Sequence, residues 1–245
     1  MKLRYEKNET KRQYYRELKA IFDRTIEGAA EDWNWPLLNF ATEQTLIKIF
    51  SRFELFCDVR EVPGSIVEMG SFFGTTSLLF KNFCNMYEGD LERRIIAFDK
   101  FSTNEAAGAD LKFNYFTHAE FLKNLKQTAE LHSAINAKRF RDCKLELIDG
   151  DIRTTLPSFL ESDPDLTVSL LYLDVDCEKL TKYILECLVS RMAHRGVIAI
   201  EGFQNINTPG IARVFRDFQE VHGVKWAAKR VGREKFLTKF VMGSE

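Results

Sequence analysis

The stretch Ile66-Val67-Glu68-Met69-Gly70-Ser71-Phe72-Phe73-Gly74-Thr75-Thr76-Ser77 decides the fold. An apolar run ends in a Glu-x-Gly-x-x-x-Gly turn and passes into a helical pattern, the strand, turn and helix of a nucleotide-type loop. In a dinucleotide fingerprint a middle glycine lets the backbone approach a pyrophosphate at the helix N-terminus. Phe72 stands at that place here, which disfavours a pyrophosphate, while Glu68 sets a carboxylate just below the loop. An amine-bearing ligand suits this loop better; a purely structural glycine turn is the alternative.

Working outward, four more β-like runs follow: RIIAF before Asp99, KLELI before Asp149, VSLLYL before Asp174 and GVIAI before Glu201. All four stop at an acid. In an open parallel sheet the carboxyl ends of the strands line the ligand crevice, so acids repeated there point to a site. Between the runs, helical periodicity predicts helices over Thr75 to Met86, Ala119 to Arg139, Lys179 to Met192 and Ile211 to His222, the third ended by His194-Arg195-Gly196. VKWAAKR, a VGRE turn and KFLTKFVM read as a closing hairpin, which adds an antiparallel edge to a parallel sheet. Alternation of this kind is the mark of an α/β fold.

Residues 1–60 read as an N-terminal helical extension packed on a core domain of residues 61–245. Thr45, Leu46, Ile49, Phe50, Phe53 and Phe56 supply its expected apolar face, leading into the turn Glu61-Val62-Pro63-Gly64. The cluster Trp33, Trp35, Pro36 and Phe40 either packs this layer onto the core or covers the crevice or a subunit contact.

Composition narrows the class. With 35 Lys and Arg against 36 Asp and Glu in 245 residues, the chain lacks the basic excess of a nucleic-acid binder. Lys2, Arg4, Lys7, Lys11, Arg12 and Arg16 alternate with acids, as on a solvated helix face. No apolar run approaches the roughly 20 residues of a membrane span, and no secretory leader is apparent, so a cytoplasmic protein is expected. The five cysteines are odd in number and scattered, which fits buried free thiols better than a disulfide framework or a zinc site.

The crevice acids can be given chemical roles. Asp99, at the end of the second run, suits the two hydroxyls of a ribose, and the loop Asp149-Gly150-Asp151 can reach an adenine edge, which together make an adenosine site. Asp151 reads equally well as a helix N-cap ahead of Ile152. Asp174 and Glu201, on adjacent strand ends, either share a divalent cation such as Mg²⁺ or hold a substrate amine or hydroxyl by hydrogen bonds.

The ordered series Glu68-x-Gly70-x-x-x-Gly74, Ala97-Phe98-Asp99-Lys100-Phe101, Gly150 to Pro157, Leu171 to Asp176 and Gly196 to Glu201 resembles the macrocin O-methyltransferase (TylF-like) family, over about residues 60–222. The resemblance implies a Rossmann-like class I methyltransferase fold: a mostly parallel seven-stranded sheet with helices on both faces. It further implies S-adenosylmethionine as methyl donor, a hydroxyl of a sugar or natural-product intermediate as acceptor, Mg²⁺ as a frequent helper, and a homo-oligomer. By position, Glu68, Gly70, Ser71, Gly74 and Thr75 would surround the methionine part, and Asp99 with Lys100 the ribose. Gly150, Asp151 and Ile152 would flank the adenine. Asp174 and Glu201 match two metal-binding acids, with Asp174 also at the reacting end and His118, in the polar insertion Ser102 to His118, a candidate general base. The departure is Gly202, where family members typically carry a second acid, and it opens three readings: Asp176 substitutes as a ligand, the site is metal-free, or the protein binds the cofactor without turning it over. A branch that methylates another group is a further alternative, since fold does not fix function.

Overall fold

A computed structural model describes residues 9–29, 37–88, 93–101, 118–137, 142–203, 210–222, 226–232 and 237–243. The middle of its five parallel strands is Ser65–Met69 (β1), buried at every position. Arg94–Asp99 (β2) and Lys144–Asp149 (β3) lie to one side of it, Val168–Leu173 (β4) and Met192–Ile200 (β5) to the other, all parallel. Trp226–Arg230 (β6) and Thr238–Met242 (β7) form the expected hairpin, and β7 pairs antiparallel with β5. The strand order β3-β2-β1-β4-β5-β7-β6 reverses direction between β1 and β4. That switch point opens a crevice at the strands' carboxyl ends.

The continuous apolar runs follow from burial on both faces. Successive side chains alternate sides. Val67, Met69, Ile96, Phe98, Leu171, Leu173, Ile198 and Ile200 pack on one face against helices Ile152–Ser162, Glu178–Leu188 and Ile211–His222, which we number α5 to α7. Ile66, Ile95, Leu170, Tyr172, Val197 and Ala199 pack on the other against Glu43–Val59 (α2) and Thr75–Tyr87 (α3). Each large apolar side chain buried in this way contributes roughly 1.5–3 kcal/mol. The remaining helices are Glu9–Ala29 (α1) and His118–Ala137 (α4).

Two compact units divide the chain: Met1–Lys48 with Glu105–Tyr115, and Ile49–Asn104 with Phe116–Glu245. The smaller contains α1 and a short 3-10 turn, Leu38–Phe40, with Phe22 and Phe40 edge to face at 5.2 Å. The larger carries the whole sheet.

Three expectations need correction. The helix expected to run to Met192 ends at Leu188, and His194-Arg195-Gly196 lies within β5 as an irregularity, with Arg195 at φ 64°. Pairing with β4 shifts register between Val168 and Leu170, and a left-handed residue absorbs that shift. Of the expected face of α2, Ile49, Phe53 and Phe56 pack on the core, but Thr45, Leu46 and Phe50 are exposed, Phe50 at 63%, and Ser51, Arg52, Leu55 and Val59 are buried instead. All five cysteines are free, but Cys84 alone is buried, and Cys57 and Cys177 face solvent. Among the described residues no helix is long and apolar enough to cross a membrane. Trp33, Trp35, Pro36, most of the Ser102 to His118 insertion and the loop Gln204 to Pro209 fall outside the described residues.

Candidate active site

The glycine turn after β1 is shaped by contact with β2 and β4. Gly70 and Ser71 both donate to the Phe98 carbonyl, at 3.0 and 3.3 Å, and Asp174 donates from its backbone to the Met69 carbonyl at 2.9 Å. Gly70, at φ 89°, passes so near β4 that a Cβ there would lie 2.5 Å from the Asp174 carbonyl oxygen. A glycine is therefore obligatory at the switch point. Gly74 caps α3 in the left-handed region with no side-chain cap, so Thr75, exposed at the first turn, leaves the helix N-terminus open toward the crevice.

Phe72 also takes a left-handed conformation, φ 51°, which is costly for a residue with a Cβ. Asp99 compensates. Its Oδ2 accepts from the Phe72 backbone N–H at 2.5 Å and its Oδ1 from Lys100 N–H at 2.6 Å, which orients the carboxylate at the end of β2. Gly150, after β3, donates to the Asp99 carbonyl at 3.0 Å, so the third loop is tied to the second.

Glu68 lies beneath the turn, 2% exposed. Ser71 donates to its Oε2 at 3.0 Å, and Ser77 makes a second, shorter hydrogen bond to the same oxygen. Burial raises the Glu68 carboxyl to about 7, against the lowering pull of the two hydroxyls and of Arg52. Ser77 is the partner that sequence reading passed over.

Asp151 caps α5 and stands at the crevice rim in one arrangement. Its Oδ1 accepts from Arg153 N–H at 2.9 Å, while Lys100 Nζ reaches its Oδ2 at 2.9 Å. Hydrogen bonds from Arg153, then Lys100, hold this carboxyl well below the usual range. Ile152, the next residue, is buried in the core with Phe98 and Leu156. The N-cap reading of Asp151 holds, and Lys100 ties this cap to the end of β2.

On the far side of the switch point, Glu201 follows β5 and donates from its backbone to the Leu173 carbonyl at 2.8 Å, directly beside Asp174. Asp174 is reachable by water yet surrounded by protein; desolvation, and then the charges of Glu201, Glu68 and Asp176, raise its carboxyl well above the ordinary range. Glu201 is engaged from α2. Its Oε2 accepts from Arg52 Nη2 at 2.7 Å and from the Tyr172 hydroxyl at 2.5 Å. Arg52 itself is 3% exposed, lies 5.2 Å from the Tyr172 ring centroid and also donates to the Tyr172 oxygen at 2.5 Å. Neither residue was singled out from the sequence, since Arg52 is one charge among many on an amphipathic helix and Tyr172 hides inside an apolar strand.

The donor set does not suit the magnesium ion expected at Asp174 and Glu201. Glu201 already balances a buried guanidinium, Gly202 supplies no carboxylate, and among the described residues no three His, Cys, Asp or Glu side chains converge as a ligand set. The adenosine end fits its expected ligand: an oriented acid at Asp99, a close-approach glycine and an open helix N-terminus. His118 is the first residue of α4, and its side chain lies outside the described residues.

Strand order, glycine turn and acids at the switch point define a class I methyltransferase. The macrocin-O-methyltransferase (TylF) family model matches residues 2–234, and the chain belongs to that family of S-adenosylmethionine-dependent methyltransferases. The match begins well before the expected residue 60. No curated protein matches the chain in sequence. Among solved structures, apo CalS11, described as a TDP-rhamnose 3′-O-methyltransferase of calicheamicin biosynthesis, is similar over 93% of this chain and 94% of its own, with 21% identity and TM-score 0.75. A second CalS11 structure gives TM-score 0.78 at 20% identity over 93% and 92% of the two chains. The O-methyltransferase NovP gives 0.59 at 16% identity over 80% and 79%. These likenesses concern the fold.

Proposed function

We propose that this protein methylates a hydroxyl of a small molecule, a sugar or natural-product intermediate, with S-adenosylmethionine as donor. The observation that carries the reading is the set of acids at the switch point: Glu68, Asp99, Asp174, Asp176 and Glu201 surround a turn whose geometry admits a nucleoside. A ligand rich in hydroxyl and ammonium donors finds oxygen acceptors at these positions.

When bound, S-adenosylmethionine supplies an activated methyl group on sulfur. In this reading Asp99 accepts from the ribose hydroxyls, with Lys100 beside it. Gly70, Ser71, Gly74 and Thr75 line the methionine part above Glu68. Gly150 and Asp151 flank the adenine, with Ile152 supporting their loop from the core. Asp174 stands at the reacting end. There its raised carboxylate would serve as acceptor for the proton of the substrate hydroxyl. His118 is the second candidate for that proton. CalS11 acts on a nucleotide-linked rhamnose, as its description states, which makes glycosyl hydroxyls the first acceptors to try.

Calorimetric titration with S-adenosylhomocysteine tests the cofactor site. Binding in the micromolar range, about −8 kcal/mol, is expected, weakened at least tenfold by Asp99→Ala. A protein that shows no binding would sink the proposal. Accumulation of S-adenosylhomocysteine with TDP-rhamnose and other glycosides then tests the acceptor class.

A further inference from the structure

Arg52 has no part in the reading above, although it is a buried cation that acts on three of the crevice acids, Glu68, Asp174 and Glu201. It reaches Glu201 at 2.7 Å and Tyr172 at 2.5 Å from α2, and its charge also favours the ionised forms of Glu68 and Asp174. We infer that the Arg52–Tyr172–Glu201 unit takes the electrostatic place of a divalent cation, so that the crevice neither needs nor binds one. The inference rests on the proposed crevice but not on its cofactor.

Three observations carry it. A guanidinium stays charged at any ordinary pH, and this one is 3% exposed, so a divalent ion on Glu201 would set two further positive charges beside a buried one. Turning Glu201 toward a metal would also give up its 2.7 Å contact with this buried guanidinium. Finally, Gly202 supplies no carboxylate next to Glu201, while Mg²⁺ demands near-octahedral oxygen ligation. The glycine at 202 and the guanidinium at 52 act in the same direction, each weakening a metal site beside Glu201.

Arg52 is then a positioning residue. It holds the Glu201 carboxylate and the Tyr172 hydroxyl rigidly at the acceptor end of the crevice, next to Asp174. The field that a metal would supply there comes from a fixed side chain instead.

Manganese uptake, read from the paramagnetic resonance signal of the free aqueous ion, decides the matter without any turnover assay. The wild-type chain, with or without S-adenosylhomocysteine, is expected to take up no stoichiometric Mn²⁺ tighter than about 1 mM. Arg52→Gln combined with Gly202→Asp, checked for folding by thermal unfolding, should gain one site bound at least about tenfold more tightly. One Mn²⁺ per wild-type chain, lost in Glu201→Gln, would overturn the inference. The wild-type titration stands even if the double variant fails to fold. Failure of S-adenosylhomocysteine to bind would instead refute the cofactor reading and leave the metal result to be judged separately.

Discussion

Glu68 shows what one buried carboxyl does to a whole protein. Its folded value is about 7 against an ordinary 4.5, with desolvation as the main cause, so the native state holds a proton that the unfolded chain releases. The contribution is therefore fully present below pH 4.5 and is lost as pH rises to about 7, on the order of 3 kcal/mol across that window. Urea midpoints measured from pH 4 to 8 should show this slope, and Glu68→Gln should lack that component. Superimposable profiles for the two proteins would mean that Glu68 does not titrate in the window. Phe72 makes a related point: its left-handed backbone persists because Asp99 accepts its N–H, so Asp99→Ala should loosen the turn as well as remove a ribose contact.

At the level of elements, Arg93 ties the sheet to α2. Its guanidinium donates to both carboxylate oxygens of buried Glu88 at 2.8 and 2.9 Å, to the Gly64 carbonyl at 2.7 Å, and to the carbonyls of Val59, Arg60 and Val62 at 3.1, 3.2 and 3.0 Å; Ser169 on β4 also accepts from it. One side chain thus satisfies the C-terminal carbonyls of α2 and the turn that feeds β1. Arg93→Met leaves Glu88 uncompensated and should cost about 3–5 kcal/mol in denaturant unfolding. A smaller effect is expected at Asp151, where loss of the α5 cap in Asp151→Ala should cost about 1 kcal/mol. Its depressed carboxyl stabilises the fold above the ordinary aspartate range, and that part is lost as pH falls through it.

For the whole molecule, the crevice spans β1, β2, β4 and β5, so a ligand seated there bridges both halves of the sheet. S-adenosylhomocysteine at 100 times its Kd should raise stability by roughly 2.7 kcal/mol, seen as a concentration-dependent rise in Tm. A Tm indifferent to the ligand would contradict a site at the switch point.

Much of this plan is legible in the chain. Strands buried on both faces must be apolar throughout, so SIVEM, RIIAF and VSLLYL stand out, and the acids that end the last two mark the crevice without any structure. Boundaries were less legible at β5, because a register shift shared with β4 belongs to the pair of strands and to neither run alone. The face of α2 is only partly legible for a similar reason: Ile49, Phe53 and Phe56 pack as their spacing predicts, but a helix reading places Arg52 outward, and only a partner can make a charged residue an interior one.

The sequence by itself determined the class of protein, the glycine turn and the acids at the strand ends, because these depend on local periodicity and on residue types that few other turns require. Tertiary structure alone decided which of those acids are charged and what they face. Arg52 and Glu201 stand 149 residues apart in the chain yet share a hydrogen bond, and Glu68 holds its proton only because the folded sheet removes it from water. Ion pairing and desolvation are properties of packed neighbours, and the chain acquires its neighbours by folding.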